Sequence, residues 1–167
     1  MTVKTERRPA PAGWPLPDEA AEQLRPGVPL EDYLPYQLFR IVNRLTLNLR
    51  GNFRPLKITL SRWRVLSTLT ARDGRSIGQL ANFMVMEQPA LSRVIDQMER
   101  DRLVVRRLAS DDNRVVRVYL TTAGQQMFEE IRPLEIKHYK NVISGIDQDE
   151  LTQLSASLQK VWENIDR

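Results

Sequence analysis

The sequence predicts a mainly α-helical chain interrupted by one β-hairpin. Apolar residues recur at three- and four-residue intervals through most of the chain, and the interval changes to two only across residues 103–121. A further observation bounds the folded part. Six of the ten prolines (Pro9, Pro11, Pro15, Pro17, Pro26 and Pro29) lie in the first 32 residues. Prolines at that density prevent regular helix and ladder, so residues 1–32 read as a proline-rich arm, either disordered or packed through Trp14 and Leu16.

Leu34, Leu38, Ile41, Val42, Leu45 and Leu49 form one apolar stripe, which predicts a first helix from residue 34 to about Gly51. Residues 52–58, with Pro55, read as a loop. Thr59 or Ser61 then caps a second helix with Leu60, Trp63, Leu66 and Leu69 on its inner face, and Asp73-Gly74 stops it, the glycine taking the left-handed cap. Ser76 and Gln79 have the spacing of a capping box and open a short third helix, whose Ile77, Leu80 and Ala81 face inward and which ends around residues 83–86. A fourth helix begins near Glu87, with Pro89 tolerated in its first turn. Its inner face is Leu91, Val94 or Ile95, and Met98.

Residues 103–108 and 115–121 are β-rich and flank a polar tip at residues 109–114. In the second run Val116, Val118 and Leu120 share one face, and Val115, Arg117 and Tyr119 the other. Thr121 or Thr122 opens a long helix to about Ser144, bent at Pro133 and ended by Gly145. Asp147 and Glu150 make a second capping pattern for a last helix. Its stripe is Leu151, Leu154, Leu158, Val161, Trp162 and Ile165.

Composition removes several functions. The chain of 167 residues has no cysteine and one histidine, His138, which excludes disulfides, thiol switches, cysteine-ligated zinc and multi-histidine metal sites. Seven glycines supply no phosphate-cradling or dinucleotide loop, and no acid pair sits with a histidine, so neither catalysis nor a bound cofactor is expected. With no membrane-length apolar run and a charged N-terminus, a soluble cytoplasmic protein is the expectation. Charge is unevenly spread. Residues 40–75 carry nine basic side chains and one acid, whereas residues 122–167 carry five basic and eight acidic ones. Such a basic half suits a polyanion, although a solvated arginine face reads the same way.

A short capped helix, a tight turn and a second helix make a helix-turn-helix, and the hairpin behind it makes a wing. The second helix of such a pair fits the major groove of DNA and presents its N-terminal side chains to base edges. Here these are Gln88, Ala90, Ser92 and Arg93. Glutamine pairs with adenine, arginine with guanine, serine with a base or phosphate, and an alanine methyl with thymine. Gln88 and Ser92 also suit helix capping, and Arg93 an ion pair near Asp96. At the hairpin tip Arg114 suits a narrow minor groove, with Asp112 placed to orient it or an arginine of the neighbouring helix. Arg106 and Arg107 on the first strand suit phosphates, or serve only as solubilising charges.

Together these residues resemble the MarR family of regulators over about residues 34–166. Leu80-Ala81, Gln88, Ser92-Arg93, Leu103-Val104, Arg106 or Arg107, Asp112, Arg114, Leu120-Thr121 and Gly124 match the family pattern in order. Arg102 stands where the family usually has glycine, and Asn113 where it commonly has arginine. The resemblance implies a homodimer on double-stranded DNA, with residues 33–58 and 122–167 as dimerisation helices around a winged core at 59–121. The apolar stripes of the first and last helices, which have no obvious partner in a small winged head, agree with that division. It also implies a repressor of a pseudo-palindromic operator, released by a small effector such as an aromatic acid or its coenzyme A thioester. Tyr36, Arg40, Arg44, Trp63 and Arg64 are the candidate effector residues, because arginine clamps carboxylate or phosphate and aromatics stack; the same side chains also suit a dimer core with arginines on the surface or on phosphates. The alternatives are an architectural, sequence-independent DNA binder and a winged-helix protein-interaction module.

Overall fold

A computed structural model describes residues 29–109 and 115–166. The order of elements is α1 (Leu34–Phe53), α2 (Leu60–Ala71), β1 (Arg75–Ser76), α3 (Ile77–Met84), α4 (Gln88–Arg100), β2 (Val104–Leu108), β3 (Val116–Leu120), α5 (Thr122–Val142) and α6 (Gln148–Ile165). Every helix expected from the apolar spacing is present. Contacts divide the chain into two units, Met1–Leu45 and Thr46–Arg167. Within the described part of the first, a single 3-10 turn, Leu30–Asp32, leads into α1. The arm at residues 1–28 lies outside the described residues, as does Trp14.

Local chemistry sets most helix starts. The Thr59 hydroxyl accepts the Arg62 N–H at 3.3 Å, and the Thr121 hydroxyl accepts that of Gly124 at 3.0 Å. Ser76 and Gln79 complete a reciprocal capping box, with bonds of 3.2 and 2.9 Å. Asp147 and Glu150 complete another. Each satisfies backbone donors that a helix end leaves without partners.

The second unit packs its core between α2, α3, α4 and the sheet. Val65, Leu66, Leu80, Leu91, Ile95, Met98 and Val118 are fully buried, each contributing about 1.5–3 kcal/mol by removal from water. Three features depart from the sequence reading. First, α1 runs through Phe53 and a 3-10 turn follows at Arg54–Leu56, so most of the expected loop is helical. Phe53 is fully buried, its ring 5.4 Å from that of Trp63. Secondly, β1 joins the hairpin in an antiparallel sheet of order β1-β3-β2, with Arg75 opposite Val118 and Ser76 opposite Arg117. Thirdly, α2 is closed by Arg72 in an extended conformation, and Gly74 takes its φ of +70° in the turn beyond. A Cβ on Gly74 would lie 2.7 Å from the Tyr119 ring, so the glycine also admits that ring.

Outside the core the chain is markedly apolar. On α1, Leu34, Phe39, Ile41, Val42 and Leu47 are exposed, and on α6, which buries no residue, so are Leu154, Leu158, Trp162 and Ile165. No helix among the described residues is long and apolar enough to cross a membrane.

Candidate nucleic-acid interface

The helix-turn-helix is α3, the turn at residues 85–87, and α4. The turn is a Schellman motif: the Met86 N–H donates to the Ala81 carbonyl at 2.9 Å and the Val85 N–H to that of Asn82 at 3.2 Å. The motif places Val85, a β-branched residue, in the left-handed region at φ 50°. Arg64, from α2, donates to the Met84 carbonyl at the same helix end. Glu87 precedes α4 without a side-chain cap, and Pro89 occupies the first turn. The N-terminus of α4 therefore keeps backbone donors and the positive end of the helix dipole directed outward.

Leu91, Ile95 and Met98 are buried at helical spacing and fix the rotation of α4. Gln88, Ala90 and Arg93 lie exposed on the opposite side, in the N-terminal half, while Ser92 is half-buried. Among the described residues Arg93 makes no ion pair. Its expected neighbour Asp96 is engaged elsewhere, by Arg106.

Arg106, one of the two strand arginines expected to suit phosphates, has partners within the protein. Its guanidinium bridges Asp96 and Glu99, each at 2.7 Å, with the Ser92 carbonyl at 3.5 Å. Its backbone N–H also donates to Glu99 at 3.0 Å. One arginine thus bolts the wing to three successive turns of α4. That backbone bond, helped by the guanidinium and opposed by burial, holds Glu99 below the ordinary glutamate value. Burial works to lower Arg106, but its bonds to Asp96 and Glu99 outweigh it and raise the pKa.

Strand register separates Arg106 from Arg107. Arg106 is opposite the buried Val118, on the helix side, whereas Arg107 is opposite Arg117. Arg107 is exposed and stacks 5.6 Å over the Tyr119 ring. Arg117 donates to the Gly74 carbonyl at 3.1 Å. Asp112 and Arg114, the expected tip residues, lie outside the described residues.

The wing root is built from backbone. A second Schellman motif closes α4: the Leu103 N–H donates to the Met98 carbonyl at 2.8 Å and the Arg102 N–H to that of Glu99 at 3.0 Å. Here Arg102 sits at φ 58°. The Thr121 N–H donates to the Leu103 carbonyl at 3.1 Å, and its hydroxyl to that of Arg102 at 2.6 Å. Gly124 closes against this loop. A Cβ there would lie 2.1 Å from the Leu103 carbonyl oxygen.

The expected effector residues divide by unit. On α1 the Tyr36 and Phe39 rings stack at 6.4 Å, and the Arg40 guanidinium lies 5.9 Å from the Tyr36 ring. Arg44 is exposed. On α2, Trp63 packs on Phe53 and donates from Nε1 to Glu135 at 3.5 Å. Arg64 is held by the Met84 carbonyl, and its burial lowers its pKa. Trp63 and Arg64 therefore serve as internal fasteners. Sequence spacing identified the side chains and missed those partners, which lie distant along the chain.

The MarR family model matches residues 58–116. A MarR-family transcriptional regulator from Silicibacter pomeroyi is similar at 36% identity, covering 87% of this chain and 94% of its own, with a TM-score of 0.75. The chain belongs to the MarR family. A second MarR regulator from the same organism is similar at 31% identity, covering 84% of this chain and 93% of its own, with a TM-score of 0.74. The transcriptional repressor CouR, in a structure bound to a 23-mer DNA duplex, shares the fold at 23% identity and a TM-score of 0.70, covering 79% of this chain and 94% of its own. As a MarR-family protein the chain is a DNA-binding transcriptional regulator and not an enzyme. Family membership also gives two positions flanking the wing, Arg102 and Gly124, their meaning. The usual MarR glycine before the first wing strand is the residue this fold requires in a left-handed conformation, and Arg102 occupies that position under strain. The glycine after the second strand, here Gly124, is required because nothing larger fits against Leu103.

Proposed function

We propose that the protein binds a pseudo-palindromic operator as a homodimer and represses transcription from it. The observation that carries this reading is α4. Its inner face is anchored in the core, and its N-terminal half presents Gln88, Ala90 and Arg93 to solvent beside the half-buried Ser92. Those side chains read base edges in the major groove. Arg107 contacts phosphate, and Asp112 with Arg114 set the wing tip in the minor groove. Arg106 acts as a positioning residue that fixes the angle between wing and helix.

The exposed apolar faces of α1 and α6 support dimerisation, since isolated soluble chains rarely leave such stripes in water. Two-fold symmetry then sets half-sites ~10 bp apart. The effector is a small anionic aromatic molecule held near Tyr36, Arg40 and Arg44, where aromatic faces and guanidinium groups alternate on α1. Its binding weakens DNA affinity by favouring a different spacing of the two heads. The compartment is the cytoplasm, where the operator is.

Selection of bound sequences from a random duplex library at near-physiological salt tests the reading. A recovered palindrome with that spacing is the expected result. Absence of any enriched motif from a folded protein would replace it with an architectural or protein-binding role. A thermal-shift series of aromatic acids and acyl-CoA esters tests the effector, and silence across the series with DNA binding intact removes it.

A further inference from the structure

Three consecutive residues near the start of α2 leave the helix in three directions. Successive side chains on a helix point about 100° apart, so Arg62 and Arg64 diverge by about 200° with Trp63 between them. The Arg62 guanidinium pairs with Asp101, the residue that closes α4. Arg64 donates to the carbonyl of Met84, the last residue of α3. Residues 84 and 101 bracket the turn and the whole of α4, which at 13 residues is about 20 Å long. Trp63 packs on Phe53 and reaches Glu135 of α5, which fixes the rotation of α2 itself. One turn of α2 therefore holds both ends of the segment that carries α4.

Local helix chemistry does not account for the pair of Arg62 with Asp101. Arg62 lies in the first turn of α2, where the helix dipole disfavours a cation, and Asp101 at the carboxyl end of α4, where it disfavours an anion. Each charge suits the end of the other helix. The pair is also a poor source of stability. The Asp101 side chain is 55% exposed, and the Arg62 Nε is shielded from solvent with no hydrogen-bond partner among the described residues. What the contact supplies is direction. Leu91, Ile95 and Met98 fix the rotation of α4 about its axis, whereas its tilt needs restraints at its ends. We infer that Arg62 is a positioning residue which, with Arg64, sets the tilt of α4 and so decides which base edges Gln88, Ala90 and Arg93 reach. The effect on base reading rests on the operator proposal, whereas the bracket does not.

The test uses the full chain with three variants. Arg62→Met keeps the aliphatic stem, Asp101→Asn keeps the side-chain shape at an exposed position, and Arg62→Lys keeps the charge. Arg132→Met, which breaks an exposed pair with Glu129 on α5, is the control. One measurement takes residual dipolar couplings of the α2 and α4 amides in the unliganded protein, which give the angle between the two helices. The other compares affinity for a duplex selected by the unaltered protein with affinity for its single-base variants. Arg62→Met and Asp101→Asn should both change the angle and lower discrimination about tenfold, the loss of about one base contact. The double variant should do no more than either single one, because both remove the same interaction, and Arg62→Lys should restore angle and discrimination together. An unchanged angle in a folded Asp101→Asn protein overturns the bracket. A changed angle with all duplexes weakened alike and discrimination undiminished overturns the positioning role. If the unaltered chain discriminates between no duplexes, the operator reading fails and the couplings alone decide whether Arg62 sets the tilt.

Discussion

Replacing Arg102 with glycine should make the protein more stable, although it removes a charged side chain. Arg102 lies at φ 58° because the closure of α4 demands a left-handed residue there. For an L-residue that conformation costs about 1–2 kcal/mol relative to the right-handed one. Glycine is spared the cost but loses about 0.5–1 kcal/mol through its freer unfolded chain. Among the described residues the Arg102 side chain is exposed and makes no ion pair, so little else changes. The expected net gain is about 1 kcal/mol, which corresponds to roughly 2–4 °C in Tm for a chain of this size. Val85→Gly should act in the same direction at the other end of the helix, since Val85 is 69% exposed and buries little. The two sites flank 13 helical residues, about 20 Å apart, so the effects should add. Thermal melts of both single variants and the double, at one fixed protein concentration, measure this. An Arg102→Gly protein that melts at or below the unsubstituted temperature would refute the strain argument, because the sole remaining term would be a side-chain contribution absent from the structure.

Gly124→Ala should behave oppositely, since its methyl would meet a backbone carbonyl oxygen with no room to move; a loss of about 3 kcal/mol in chemical denaturation is expected. Glu99 has a folded pKa below its unfolded one, so its contribution is complete above the unfolded value and is lost as pH falls through the folded value. Denaturation in mild acid should therefore be less steep for Glu99→Gln, and an identical acid profile would remove the wing-anchor account. Arg93→Ala should reduce discrimination between the selected operator and single-base variants by about 1–3 kcal/mol, whereas Arg107→Ala should weaken all duplexes alike. Leu158→Glu on α6 should shift sedimentation equilibrium toward monomer, and an unchanged mass would place the dimer interface elsewhere.

What the sequence determined by itself was local. Ser76 with Gln79, Asp147 with Glu150, and Thr59 and Thr121 each bond a backbone group within three residues, so spacing located the two capping boxes and narrowed the other two starts to Thr59 or Ser61 and Thr121 or Thr122. The buried face of α4 was equally legible, because Leu91, Ile95 and Met98 repeat at the helical period. The resemblance to MarR regulators rested on the same contiguous stretch. Tertiary structure decided what depends on partners distant in the chain. Strand β1 has two residues and exists through pairing with β3. Phe53 was indistinguishable from a loop residue until Trp63 covered it. Arg106 and Arg107 are identical neighbours in sequence, and strand register turned one onto Asp96 and Glu99 and the other to solvent. Arg75 and Arg117 were brought side by side when β1 paired with β3. The physical division is one of range: caps and amphipathic faces are settled by interactions within a few residues, whereas pairing, burial and charge clusters are settled by which segments the fold brings together.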